Sequence, residues 1–446
     1  MPSDGRRVLV ITYHFPPDGS VGGLRWAGIT KYLARLGWKV AVVTGAAPGE
    51  NDRVVNAHVE WCPRLQTLND YYRLLPRRDQ RSRVSPPSTS SAARPSLQPG
   101  LLRRLRAEVA AVLALPDESR GWVLRAALRT RWLVRRFQPQ VVVSSGPPHS
   151  AHLVAMLATI GKSVRWFVDL RDPWGGPFTK CWESHPIGRT RTARALFPRL
   201  ERLAFRAAQG VIANTPQLAE TLAARYPEVV VACVPNGVDP ECLPPRAPDP
   251  YPALGIAYAG TLYLSRDLGP VMRALRIFLE RHPEAAEAGS KLRVAGHANA
   301  SCAHAFATQV ASLGLERHVD LLGPLPRAQA LKVVSRSRLV VVLAQEQELQ
   351  VPAKLYESLA MGIPTLVIAE EGSAAGVEGK RMGAAVHDPS DLAGIARLLE
   401  QVWRNERPQP PRCPTAITYE HIARLVHQVL TGPGRAAVGS IDSEAR

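Results

Sequence analysis

Short apolar runs alternate with stretches of helical periodicity along most of this chain. Val8–Thr12 is a strand-length apolar run, and the loop from His14 to Gly23 after it is dense in Pro and Gly, residues that interrupt regular structure. Trp26, Ile29, Leu33 and Leu36 then recur at the spacing of one helix face, Gly37 closes that segment, and Val40–Thr44 is the next strand. This strand–helix–strand order predicts parallel pairing and a doubly wound sheet. The pattern lapses afterwards. Ser85–Gly100, rich in Pro and Ser, reads as a mobile loop, and Leu102, Leu105, Val109 and Val112 mark an amphipathic helix. A second helix over Trp122–Phe137 leads into strands at Val141–Ser145, Val164–Asp169, Gly210–Asn214 and Val229–Val234.

The proline-rich stretch from Pro235 to Pro252 has no sustained periodicity and reads as a linker. Alternation restarts with strands at Gly255–Ala259, Lys291–Ala295, Val319–Leu322, Leu339–Ala344, Thr365–Ala369 and Ala384–Val386, and a helix spans Leu268–Arg281. The expected division is residues 1–234, with a basic insertion at about 64–120, a linker at 235–252, a second domain at 253–412, and a terminal segment at 413–446. A helix near Tyr419–Leu430 in that last segment is a candidate to return to the first domain. With 446 residues the chain is too long for one ordinary core. Two doubly wound α/β domains would face each other across a cleft at the carboxyl ends of their strands, where such folds bind ligands.

Composition narrows the classes. The chain is 46% hydrophobic and 21% charged, as a globular protein is. Its six cysteines are scattered without a Cys-x-x-Cys pair, which argues against a disulfide framework or a zinc site and fits a reducing compartment. No signal peptide or membrane-spanning apolar stretch is visible, so the expected location is cytoplasmic. The net charge of +18 is uneven: between Arg64 and Arg136 stand 16 Arg against 5 acids, a local +11. An anionic membrane surface, on the inner face of the membrane, is one partner for such a segment, and a plainly solvated arginine-rich surface is the other reading. No aromatic–basic interleaving supports nucleic acid.

The candidate chemistry lies in the loops. Gly22 and Gly23 stand before the first helix, where backbone N–H groups and the helix dipole favour an anion, although many tight turns use the same pair. Val351-Pro-Ala-Lys-Leu-Tyr-Glu-Ser-Leu-Ala-Met-Gly-Ile-Pro-Thr365 predicts a helix after a strand and a polar loop. Glu357 on it can accept both hydroxyls of a ribose and Lys354 can neutralise phosphate; an exposed i,i+3 ion pair between them is the competing reading.

The motifs taken in order resemble glycosyltransferase family 4, retaining enzymes of GT-B architecture, over nearly the whole chain. Pro16-Pro17…Gly22-Gly23 resembles the family's opening loop. Ser145-Gly-Pro-Pro-His149 and Val168-Asp-Leu-Arg-Asp-Pro-Trp174 resemble motifs of a subgroup acting in glycan assembly. Pro235-Asn-Gly-Val-Asp239 is similar to the interdomain signature, Tyr258-Ala-Gly-Thr261 to the turn opening the donor domain, and Val351–Pro364 to the nucleotide-binding helix. The resemblance implies a nucleotide-diphosphate sugar as donor, a glycan, lipid-linked or small-molecule acceptor, and no metal or cofactor. It implies that Glu357 binds the donor ribose and that Gly22, Gly23, Gly260, Thr261, Gly372 and Ser373 lie on the donor side. His149, Arg266 and Lys354 become the candidate catalytic residues. Asp169 and Asp172 either line the acceptor side or join Arg171 in a structural network. Two positions depart from the family: Leu349 stands where a first glutamate often precedes Glu357 by eight positions, with Glu346 and Glu348 nearby, and Thr261 replaces an arginine common after the turn glycine. These departures keep open a non-catalytic nucleotide-sugar binder, and a nucleotide-sugar epimerase is the rival among enzymes.

Overall fold

The fold is that of a computed structural model, which describes residues 5–18, 21–46, 57–67, 108, 109, 112, 115–174, 190–262, 266–406 and 414–432. The loop at 85–100 and most of the segment at 64–120 and of the helix expected at Leu102–Val112 lie outside them.

The apolar runs form two all-parallel sheets. The first holds β1 (Arg7–Thr12), β2 (Lys39–Thr44), β3 (Ala57–Trp61), β4 (Val141–Gly146), β5 (Arg165–Leu170), β6 (Gly210–Ala213) and β7 (Val231–Cys233), in the order β3-β2-β1-β4-β5-β6-β7. The second holds β8 (Gly255–Ala259), β9 (Lys291–Ala295), β10 (Val319–Gly323), β11 (Leu339–Leu343), β12 (Thr365–Ile368) and β13 (Ala385–His387), in the order β10-β9-β8-β11-β12-β13. Strands such as β1 and β11 read as apolar runs because helices cover both faces of a parallel sheet. This is the GT-B architecture, two Rossmann-like domains. The edge strand β3 carries no such run: its residues are half-buried or exposed, which is why periodicity misses it.

The first sheet is covered by α1 (Val21–Arg35), α2 (Val123–Phe137), α3 (Ser150–Thr159), α4 (Arg191–Ala207) and α5 (Pro216–Arg225). Leu36, read as part of the buried face of α1, is 41% exposed; the helix ends at Arg35, and Gly37 turns the chain with φ +85°. The helices of the second domain include α6 (Gly269–Arg281), α7 (Pro283–Glu287), α8 (Ala300–Ser312), α9 (Arg327–Ser335), α10 (Ala353–Ala360), α11 (Ala374–Arg381) and α12 (Leu392–Trp403). The last helix, α13 (Tyr419–Thr431), crosses back to the first domain. Its Tyr419, Ile422, Val426 and Leu430 join the core built by Val8, Trp26 and Ile29. Gly28 permits this, since a Cβ there would stand 2.1 Å from the Tyr419 ring.

Candidate active site

Strand order reverses between β1 and β4 in the first sheet and between β8 and β11 in the second. At such switch points the loops leaving the strands diverge and open a crevice. The loops after β1 (His14, Pro16), β4 (Pro147, Pro148) and β11 (Gln347, Gln350) all border one cleft of about 580 Å³ between the domains.

Glu357 lines the cleft from α10, and its carboxylate accepts a hydrogen bond from Arg327 Nη2 at 2.7 Å. Arg327, the first residue of α9, also lines the cleft. The carboxylate's ion pair therefore runs across two helices to Arg327, and the i,i+3 pairing with Lys354 is corrected. Sequence reading missed Arg327, whose proximity follows only from α9 and α10 meeting at the strand ends. Lys354 sits against Gly260 and over the Tyr258 ring, 5.3 Å from its centroid. A Cβ on Gly260 would come within 1.7 Å of the Lys354 Nζ, so a side chain there would displace the lysine's ammonium from its present position. Burial lowers the Lys354 ammonium to about 8, with Arg266 pushing the same way and Glu357 opposing. Arg266 itself lines the cleft. Val351, Pro352 and Ala353 bring the N-terminus of α10, with its unpaired amides, to the same wall.

Asp172 faces these groups from the first domain. It accepts a hydrogen bond from Gln350 Nε2 at 2.6 Å, a direct contact between the domains. Burial raises the Asp172 carboxyl above its ordinary value, against the pull of Arg171, Gln350 and Arg266. Arg171 lines the cleft, and its guanidinium donates to the Pro147 carbonyl. Gly22 lines the cleft where that guanidinium packs on it, and a Cβ would meet Arg171 Nη1 at 2.5 Å. Gly23 lets α1 approach the backbone of Phe15, 3.0 Å from where a Cβ would stand. Both glycines lie in the first turn of α1, which begins at Val21, rather than before the helix.

Other sequence expectations change as well. Asp169 does not line the acceptor side. It is wholly buried in β5 and accepts hydrogen bonds from Arg25 (Nη2, 3.0 Å), Trp26 (Nε1, 2.8 Å) and Ser145 (Oγ, 2.7 Å). Arg25 also donates to the carbonyls of Val234 and Pro235, so this pair ties α1, β5 and the linker together. His149 likewise does not border the cleft. Its ring stacks on Trp174 at 5.3 Å and lies 5.5 Å from His152; burial drives its pKa well below the ordinary value and keeps it neutral. Its Nδ1 has no hydrogen-bond partner among the described residues. Leu349, at the position of the missing acid, packs on the core of the first domain, and its carbonyl accepts from the Thr215 hydroxyl at 2.8 Å. Glu346 and Glu348 are exposed and border no part of the cleft.

Gly372 and Ser373 shape the start of α11: Gly372 has φ +85°, and the Ser373 hydroxyl caps the helix by accepting from Gly376 N. Neither they nor Gly23, Gly260, Thr261 or Lys354 border the cleft directly, and the Thr261 carbonyl accepts from the Tyr258 hydroxyl at 2.8 Å. No group of three or more metal-ligating side chains occurs among the described residues.

Two Rossmann-like domains with a cleft between them at the strand ends have the architecture of the GT-B class of glycosyltransferases. The chain belongs to it: residues 22–237 match a glycosyl transferase 4-like domain and residues 259–405 match glycosyl transferases group 1. No curated protein sequence matches. Among solved structures, a sucrose-phosphate synthase from Thermosynechococcus elongatus superposes with a TM-score of 0.57 at 14% identity, covering 95% of this chain and 94% of that one. A glycosyltransferase from Rickettsia africae gives 0.54 at 12%, covering 95% and 93%. Anabaena HepE, solved with UDP, gives 0.54 at 14%, covering 95% and 94%. At these identities the likeness is one of fold.

Proposed function

We propose that the protein moves a sugar from a nucleoside-diphosphate donor to a hydroxyl acceptor with retention of configuration, in the assembly of a glycan. The observation that carries this reading is the pairing of Glu357 with Arg327 at the cleft wall, with Arg266 and the N-terminus of α10 lining the same cleft and Lys354 in the first turn of that helix. Glu357 would accept the ribose hydroxyls while Arg327 holds its carboxylate in place. Arg266, Lys354 and the free amides of α10 would take the diphosphate, whose negative charge grows as the sugar–phosphate bond breaks; preorganised donors stabilise that charge. Asp172, opposite, would orient the acceptor hydroxyl. The leaving diphosphate and the incoming hydroxyl then share one face of the sugar.

A second reading is a binder without turnover, which the apolar contact of Leu349 and the enclosure of His149 favour. Incubation with a panel of nucleotide sugars separates the two. Release of nucleoside diphosphate, with transfer or donor hydrolysis, supports the enzyme. Binding of a nucleoside diphosphate with no release from any donor supports the binder, and failure to bind any nucleotide overturns both.

A further inference from the structure

Helix α2 buries Ala126, Ala127, Thr130, Leu133 and Val134 against the first domain. Its opposite side carries Leu124, Leu128 and Trp132, which are 63%, 64% and 43% exposed. Their four-residue spacing places them in one row along the helix. Ile160, at the end of α3, is 59% exposed, and its carbonyl is bound by Arg131 Nη1 at 2.9 Å, which places it beside the row. Between Arg120 and Phe137 the sequence holds six arginines and no acid. Glu60 pairs with Arg129 at 2.8 Å, while Arg125, Arg135 and Arg136 are exposed on α2. The guanidinium groups of Arg129 and Arg136 lie 4.2 and 5.6 Å from the Trp132 ring centroid.

We propose that this apolar ridge and its arginines are a docking surface for an anionic lipid bilayer, with Leu124, Leu128 and Trp132 entering the interface and Arg125, Arg135 and Arg136 meeting the headgroups. The proposal is independent of the sugar-transfer reading. A convex row of leucines with a tryptophan fits the boundary between headgroups and acyl chains. A nucleic acid would use the arginines but leave the leucines in water. A second copy of the chain would set arginines against arginines with no acid on the helix to relieve them. An anionic membrane uses both features at once. The ridge also starts at the cleft end of the sheet: Trp122, just before α2, meets Tyr13 edge-on at 5.4 Å, and Tyr13 directly follows β1. Docking there would bring the open end of the cleft close to the membrane surface.

The test is flotation of the full-length protein with vesicles of phosphatidylcholine, with and without phosphatidylglycerol, at low and high salt. Two triple variants are compared with wild type: Leu124→Gln/Leu128→Gln/Trp132→Gln and Arg125→Gln/Arg135→Gln/Arg136→Gln. Leu128→Gln alone stands in if the apolar triple variant loses its native circular dichroism. Binding only to the anionic vesicles, weakened by salt and reduced on the order of tenfold in each variant, is the expected result. Wild type that stays unbound overturns the proposal. So does loss in the arginine variant with no change in the apolar one, which would leave a basic surface without insertion. Size-exclusion showing a wild-type dimer that the leucine substitutions dissociate would assign the ridge to a second copy instead.

Discussion

Arg327 and Glu357, thirty positions apart in sequence, meet at 2.7 Å on the wall of the cleft, each from a different helix of the second domain. The pair is partly exposed, so its own contribution to folding is small. Its consequence is orientation: Arg327 holds one oxygen of a carboxylate that lines the cleft.

Glu357→Gln should therefore weaken nucleoside-diphosphate binding by about 1.5–3 kcal/mol, the value of a charge-assisted hydrogen bond, while the melting temperature barely moves. Arg327→Ala should also weaken binding, and the double variant should lose less than the two single losses added together, because both act through the same carboxylate. Calorimetry on the four proteins measures this, and additive losses would dissociate Arg327 from the role of Glu357.

Lys354→Ala or Arg266→Ala should cost a similar 1.5–3 kcal/mol in diphosphate affinity. The pH dependence is specific to Lys354. Its free-protein value of about 8 means the ammonium is lost above that pH, so binding an anion there requires taking up a proton. Affinity should be flat below pH 8 and fall above it, by about tenfold per unit at most. In Lys354→Ala this inflection should vanish, and its persistence would assign the titration to another group.

The Arg25–Asp169 pair predicts a stability effect, since Arg25 is buried beside the cleft. Asp169→Ala leaves the Arg25 guanidinium buried without its carboxylate, a loss of about 3–5 kcal/mol. Thermal unfolding should show a marked drop in midpoint. An unchanged midpoint would mean that the carbonyls of Val234 and Pro235 suffice to hold Arg25.

Glu201 predicts a pH effect on folding. It is fully buried in α4, accepts from the Tyr226 hydroxyl at 2.6 Å, and burial raises it to about 7. The folded protein then holds a proton that the unfolded chain releases near 4.5, so stability falls as pH rises from 4.5 through 7, by on the order of 3 kcal/mol in all. Glu201→Gln should lack this fall and gain on wild type above pH 7. Denaturant melts at pH 5 and pH 8 check it; equal pH responses in the two proteins would refute the assignment.

Local sequence was sufficient for the alternation of strand and helix, the parallel sheets and the placing of Glu357 on a helix after a strand. Those features rest on periodicity and on breakers such as Gly37 and Gly362, which act within a few residues. The half-buried edge strand β3 and the ends of α1 escaped it, since their patterns are weak. Tertiary structure decided what meets what. Asp169 and Asp172 are three residues apart on one motif, yet one falls inside strand β5 beneath Arg25 and the other past its end, in the cleft. His149 and Leu349 turn inward because Trp174 and the first domain's core offer apolar partners there. Arg327 reaches Glu357, and Gln350 reaches Asp172, only because two switch points bring distant loops to one crevice. Whether a polar side chain is neutralised, buried or left facing a ligand depends on what packs against it, and neighbours along the chain do not carry that information.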